Sequence, residues 1–446
     1  MPSLPNCPAA RKPRRSPYAW LGVASLLAVG CGRSGLDFFL SDGAAPPPPQ
    51  KTTSLVCTSA IAATAADAID GYCSTRANRS PNPAPAGGTA VWSTPLPSTT
   101  FTAPDDLVVG GDGTVYATMT TLGETSGQPD TVIALNGADG SVLWTQAFTD
   151  QAPGHLFLGQ DGRLRVPVEY PVPAMVTLDG AGAVAESRPL PSYLASRFDG
   201  FAVGSDGSLL SHFDDAENNQ HVAKITPDGA LVWSSTATDC TAYVVLTRDD
   251  HPVLASCGDS ATISELDEAG STAWQTVLPG LGISDGPAVA PDGSIRVAVY
   301  ETSAAPGSET MHLVSLDESG SILWNVTLPG TADNVSGYDL AIGADGTTAL
   351  LTNALLVAVS GAGAVLWQTP ASDDTVYQSA VDSNGTLVVS SNAAMAGYDL
   401  ATGESRWTIA SELTPPFAIG LGGTIVSPGV IPPANANYAI SLFSDH

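Results

Sequence analysis

Positive charge is scarce in this chain of 446 residues. Lysine occurs three times, as Lys12, Lys51 and Lys224, and the formal net charge is -28. A surface of that sign repels nucleic acid and offers no basic patch for phosphate groups. Charged residues make up only 13% of the chain and aromatics 7%. No Cys-x-x-Cys occurs, no two cysteines are adjacent, and no histidine stands near the exported cysteines at zinc spacing, which argues against a thiolate metal centre. The six histidines (His155, His212, His221, His251, His312, His446) lack the i, i+4 spacing of a helical zinc site. A nucleophile elbow, a phosphate-binding glycine loop and an EF-hand loop are all missing, so no hydrolase or nucleotide chemistry is indicated.

Glycine and proline, by contrast, are abundant at 45 and 35 residues, and together they break helices and populate turns. At the N-terminus Arg11, Lys12, Arg14 and Arg15 precede the apolar run from Tyr18 to Gly30, which is short for a membrane span. This is a signal-peptide pattern over residues 1–30. The sequence Leu27-Ala28-Val29-Gly30-Cys31 resembles the lipobox of bacterial lipoproteins, with Leu27 one position early. That resemblance implies an acylated Cys31 as the mature N-terminus. Residues 31–56, with Pro46 to Pro49, read as a polyproline tether. Cys7 leaves with the signal, so the expected pairs are Cys57 with Cys73 and Cys240 with Cys257, as an oxidising compartment permits. The Ala-rich stretch 57–73 is expected to form a short stapled helix, and residues up to 87 a linker.

The rest, residues 88–446, is repetitive. Trp92, Trp144, Trp233, Trp274, Trp324, Trp367 and Trp407 each follow a glycine by four positions: Gly88, Gly140, Gly229, Gly270, Gly320, Gly363 and Gly403. The one double-length gap contains Gly182, with Glu186 in the tryptophan position. Eight copies at a mean spacing of about 45 residues match a propeller blade. Between successive tryptophans falls a second mark: Asp112-Gly113, Asp161-Gly162, Asp206-Gly207, Asp292-Gly293, Asp345-Gly346, Asn384-Gly385 and Gly422-Gly423. Such pairs are hairpin turns, because glycine accepts positive φ without steric cost. Asp250-His251 fills the fourth slot, where strain is expected.

These marks cut each unit into four strands, A to D. In the first unit they fall near Asp106 to Gly110, Thr114 to Met119, Thr131 to Asn136 and Val142 to Phe148. The chain opens on a lone D-type strand, Gly88 to Leu96, and stops on a C-type strand, Tyr438 to Phe443. The expected fold is therefore an all-β, eight-bladed propeller of four-stranded antiparallel blades, closed by pairing of its N- and C-terminal strands.

The stretches Asp399-Leu400-Ala401-Thr402-Gly403-Glu404-Ser405-Arg406-Trp407 and Asp317-Glu318-Ser319-Gly320-Ser321-Ile322-Leu323-Trp324 resemble the pyrroloquinoline-quinone-type repeat of the quinoprotein alcohol dehydrogenase-like superfamily. In that family the Asp, Thr-Gly and Trp dock neighbouring blades, so the resemblance assigns docking to the seven tryptophans. It covers residues 88–446, although several copies lack the Asp or Thr and one lacks the Trp. The family includes quinone-dependent dehydrogenases and non-enzymatic lipoproteins of the outer-membrane assembly type. A dehydrogenase would bring adjacent cysteines against its cofactor and Glu, Asn and Asp ligands for calcium; the adjacent cysteines are missing here.

In a four-stranded up-and-down blade, the B to C and D to A connections share one face. Here they are long and variable, with insertions at Leu122 to Asp130, Phe213 to Gln220 and Glu301 to Glu309, and with Asp333, Asn334, Asp373 and Asp374 in further loops. Variation gathered on one face marks a binding surface. Asp214, Asp215 and Glu217, beside Asn218 and Asn219, form a candidate calcium-ligand set of hard oxygens. The expectation is a non-enzymatic, lipid-anchored propeller of the bacterial envelope that binds a protein or polysaccharide through this face, without an organic cofactor. The alternative is a calcium- and quinone-dependent dehydrogenase.

Overall fold

The computed structural model describes residues 65–67 and most of 78–445. It leaves out single positions and the inter-strand segments 97–103, 121–128, 169–171, 191–200, 215–219, 237–240, 257–259, 302–309, 329–338, 353–354, 371–375, 392–393, 411–415 and 431–437. The described residues form eight antiparallel sheets and no helix. In the first blade the strands run Asp106–Gly110, Val115–Met119, Asp130–Leu135 and Val142–Phe148, paired in chain order from the inside out. The inner strands of blades 2 to 8 are Phe157–Leu158, Phe201–Val203, Thr241–Leu246, Leu281–Val289, Asp339–Ile342, Val376–Val381 and Ala418–Gly420. Neighbouring inner strands touch, so the blades stand in a ring. Thr89–Pro95 pairs antiparallel with Tyr438–Ser444, with Trp92 opposite Leu442, which completes blade 8 from both ends of the propeller. Closure removes the open edge that a linear array would leave.

Burial explains why the strands read differently along a blade. Strands B and C have sheets on both sides, and Thr386–Ser391 and Met311–Leu316 are buried at every position. The outer D strands face a neighbour on one side only and alternate, as Ile322–Thr327 and Val365–Pro370 do. The buried apolar residues fall into clusters shared by consecutive blades: Leu313, Leu340 and Val357 join blades 5 and 6, and Ala341, Val381 and Leu400 join blades 6 and 7.

Part of the acidic composition is turn chemistry. Asp112, Asp206, Asp292 and Asp345 each accept the backbone N–H two residues on, at 2.8–3.0 Å. Asp179, Asp267 and Asp317 do the same in C to D turns at 2.9 Å. In the A to B hairpins the residue at positive φ is the glycine, as at Gly113 (φ 84). In the fourth blade the turn is registered one residue earlier than expected: Asp250 (φ 60), not His251, takes the glycine position after Asp249. The Asp250 N–H donates to Thr247 O, as the Gly113 N–H does to Gly110 O. Asp is among the few non-glycine residues that visit the left-handed region, and here its carboxylate accepts the N–H of Ser205 in blade 3 at 3.2 Å.

The N-terminal approach also differs from expectation. Residues 65–67, within the stretch expected to be helical, form a strand that pairs antiparallel with the inner strand of blade 1, on its channel side. Residues 78–87, expected as a linker, run against the blades. Val381 exchanges backbone hydrogen bonds with this segment, from its own N–H to Asn78 O and from the Ser80 N–H to its own O, both at 2.8 Å. Asp382 accepts the Ala84 N–H at 2.7 Å, and Asp445 accepts the N–H groups of Ala86 and Gly87 at 2.8 and 2.6 Å.

Candidate functional site

Each tryptophan follows a β-bulge on strand D and turns toward the next blade. A Cβ added at Gly363 would lie 2.8 Å from Trp324 Cγ, one at Gly140 would lie 2.5 Å from Trp92 Cε3, and one at Gly403 would lie 2.6 Å from Trp367 Cδ2. The glycine is thus required by the close approach of the ring as well as by its positive φ. The Trp92, Trp324 and Trp367 indoles donate to carbonyls of the adjoining blade, Gly137, Gly361 and Leu400, at 2.8–3.0 Å. Trp144 and Trp233 lie against Gly182 and Gly270, and Trp274 against Gly320. Trp407 lies 8% exposed in the cluster joining blades 7 and 8, where Ile409 covers Gly88. Two strand B side chains lie against these rings: Tyr116, tilted by 43°, has its ring 5.8 Å from that of Trp144, and the Arg296 guanidinium lies 4.8 Å above Trp324. Arg296 is fully buried, and burial pulls its pKa down to about 10 against the opposing pull of Asp292. Its Nη1 donates to Ser294 at 2.6 Å and to Ser315, while Nε and Nη2 meet no acceptor among the described residues.

Around the channel, the starts of the inner strands carry side-chain acceptors that the sequence reading missed. Asp106, 4% exposed, accepts the backbone N–H of Leu156 in blade 2. Asp339 of blade 6 accepts the N–H of Ser379 in blade 7 and, at 2.6 Å, the Asn78 amide. Gln378 of blade 7 accepts the N–H of Phe417 in blade 8 at 2.7 Å. One position thus latches one inner strand to the next. Its sequence signal is an acceptor four residues before the turn anchor, as in Asp106 to Gly110 and Asp339 to Gly343.

The histidines with described partners are dispersed. His251 Nδ1 lies 3.1 Å from Glu265, and His312 Nδ1 lies 3.2 Å from Asn325 with its Nε2 3.6 Å from Glu301. His155 is 3.8 Å from Asp106. No group of three or more His, Cys, Asp or Glu side chains gathers as a metal site among the described residues. Antiparallel pairing places the B to C and D to A connections at one end of the blades. Their longer members lie outside the described residues, as do Cys31, Cys57, Cys73, Cys240, Cys257, Asp215 and Glu217. Asp214 is placed by its backbone alone, at the end of Leu209–Asp214 opposite Gln220.

A family model described as outer membrane protein assembly factor BamB matches residues 83–181 and 218–420. Among solved structures, the quinohemoprotein alcohol dehydrogenase ADHIIG from Pseudomonas putida HK5 is similar at 12% identity and a TM-score of 0.60, over 85% of this chain and 80% of that one. A europium-containing methanol dehydrogenase is similar at 10% identity and a TM-score of 0.57, over 84% and 97% of the two chains. BamB from Moraxella catarrhalis is similar at 15% identity and a TM-score of 0.52, over 80% and 99%. No curated protein matches the chain. At such identities the structural likeness establishes the propeller and leaves activity to the site.

Proposed function

The chain belongs to the outer membrane protein assembly factor BamB family, and from that membership we propose that it is a non-enzymatic propeller of the bacterial cell envelope. In this reading it is held at the outer membrane by lipid on Cys31 and binds a protein or polysaccharide through the face carrying its longer connections. The disulfides Cys57–Cys73 and Cys240–Cys257 belong to the same reading, since export makes them available.

One observation favours binding over catalysis. The inner-strand carboxylates are already engaged: Asp106 and Asp339 hold backbone N–H groups of the next blade. A buried carboxylate committed to such a latch is a poor calcium ligand, because a ligated ion would have to displace its hydrogen bonds. The channel side of blade 1 is also paired with the chain's own residues 65–67. Asp106 and Asp339 are therefore poorly placed to hold a calcium-bound quinone. Calcium at Asp214, Asp215 and Glu217 stays a separate proposal, and isothermal titration without calcium heat would remove it.

Photo-crosslinking amino acids placed in the 302–309 and 329–338 connections, compared with others in tight turns such as Gly162 and Gly346, test the reading in cells. Adducts with an envelope protein or polysaccharide confined to the longer connections are expected. Adducts from the tight turns alone would contradict it. Labelled palmitate should enter the wild-type chain and not Cys31→Ala.

A further inference from the structure

Blade 7 departs from the hairpin pattern at one residue. Asp112, Asp161, Asp206, Asp292 and Asp345 each stand before the turn glycine of their own blade, whereas Asn384 stands before Gly385. An asparagine side-chain carbon lies one residue from the next backbone nitrogen, and glycine leaves that nitrogen unshielded by a Cβ, so this pair closes a five-membered imide most readily. Asn384 is exposed, and its side-chain amide makes no hydrogen bond among the described residues. Gly385 sits at φ 71 with nothing within 4 Å of where a Cβ would lie. Its N–H reaches Asp382 O at 3.2 Å, against 2.9 Å for the matching bonds at Gly113, Gly162, Gly207 and Gly293. The attacking nitrogen is thus held less firmly than these counterparts, and there is room around it for the ring.

A second Asn-Gly pair, Asn136-Gly137, lies in the C to D turn of blade 1. There both partners are held. Asn136 Oδ1 accepts the Ala138 N–H at 2.9 Å, and Gly137 O accepts the Trp92 indole N–H at 2.9 Å. A Cβ at Gly137 would lie 2.1 Å from Gly113 O, so this backbone is packed against the neighbouring turn. Two pairs of the same intrinsic chemistry therefore sit in opposite surroundings.

We propose that Asn384 is a site of spontaneous deamidation, and that its isoaspartyl product loosens the N-terminal approach. The Gly385 nitrogen gives its proton to hydroxide and attacks Asn384 Cγ. The Cγ–Nδ2 bond breaks, and the side-chain nitrogen leaves as ammonia with a proton from solvent. Water then opens the succinimide. Opening at Cγ gives an aspartate, as in the sibling hairpins. Opening at the backbone carbonyl gives isoaspartate, in which the main chain runs through Cβ and Cγ and is one methylene longer. No oxidant or reductant is required.

The insertion falls in the turn that clamps residues 78–87. Asp382 accepts the Asn384 and Thr386 N–H groups at 2.8 and 2.6 Å through one carboxylate oxygen, and the Ala84 N–H at 2.7 Å through the other. The Ser383 N–H donates to Asn82 O at 3.1 Å. A longer main chain between residues 384 and 385 changes the span from Asp382 to Thr386, and with it both clamps.

In the test, the full chain is held folded at mildly alkaline pH and then digested in acid. Its peptides are read by mass spectrometry and by methyl transfer from labelled S-adenosylmethionine with an isoaspartyl methyltransferase. Isoaspartate at position 384 should accumulate at least several-fold faster than at position 136, the two rates should converge in urea, and Gly385→Ala should suppress the first. Equal rates in the folded protein, or a difference that persists in urea, would overturn the assignment. Protein carrying isoaspartate at position 384 should also be cut faster within residues 78–87 than fresh protein or Asn384→Asp, whose main chain is unchanged. Cleavage at the fresh rate would overturn the coupling to the N-terminal segment.

Discussion

Three glycines at positive φ separate the cost of blade docking from the cost of backbone strain. Gly363 (φ 84), Gly385 (φ 71) and Gly229 (φ 83) would each force an alanine into the left-handed region. That penalty is about 1–2 kcal/mol, partly offset by about 0.4–1 kcal/mol from stiffening the unfolded chain. Gly385→Ala meets nothing within 4 Å, so it should cost no more than about 1.6 kcal/mol. Gly363→Ala places its Cβ 2.8 and 2.9 Å from Trp324 Cγ and Cδ2. The rigid indole is held between two sheets and by its bond to Gly361 O, so it cannot yield cheaply. Overpacking of this kind adds about 1–3 kcal/mol to that strain, for a total of about 1–5 kcal/mol. Gly229→Ala occupies the same docking position but meets its nearest described atom, Arg188 Cβ, at 3.5 Å, an ordinary van der Waals contact, and should behave like Gly385→Ala. Urea midpoints of the three variants at equal slope measure the differences. If Gly229→Ala is as costly as Gly363→Ala, or Gly363→Ala is no costlier than Gly385→Ala, the docking argument is wrong.

Arg296→Met should raise stability by about 1–3 kcal/mol in the same assay, because it removes a buried charge with two unanswered nitrogens and keeps the volume over Trp324. Asp339→Ala leaves the Ser379 N–H and the Asn78 amide without this acceptor and should cost about 1–3 kcal/mol, with faster proteolysis within residues 78–87. An unchanged cleavage rate would detach the N-terminal segment from this latch. The Asp399 carboxyl is held below the ordinary carboxylate range, first by its hydrogen bond to Arg406 at 2.6 Å and then by Thr402, with burial opposing. Its folded pKa is depressed, so its contribution is present above the unfolded value near pH 3.9 and is lost as pH falls through the folded value. Asp399→Asn should therefore flatten the loss of stability below about pH 4 and leave the dependence near neutrality unchanged.

Much of the blade pattern is legible because its marks carry local chemistry. Glycine at positive φ and the tryptophan four residues on fix turn and outer strand, and the first blade's strands fall within one residue of the expected positions. The fourth hairpin sits one residue from the expected position because Asp250 and His251 both tolerate the left-handed region, and the partner of the Asp250 carboxylate, Ser205, lies one blade away. The strand at 65–67 is hidden for a different reason. Alanine favours helix locally, but the unpaired inner edge of blade 1 supplies a ladder that propensity does not register. The latches at Asp106, Asp339 and Gln378 were visible only as polar residues until their partners one blade away came into view. Glu186 stood out as a break in the repeat, but nothing in the sequence said that its side chain would pair with Arg188.

On the proposed function, the propeller binds partners and holds no quinone. Calorimetric titration of the full chain with pyrroloquinoline quinone in the presence of calcium tests it most directly. The account predicts no heat beyond dilution from a protein that circular dichroism shows to be folded. Stoichiometric binding in the micromolar range would contradict it and restore the calcium- and quinone-dependent dehydrogenase.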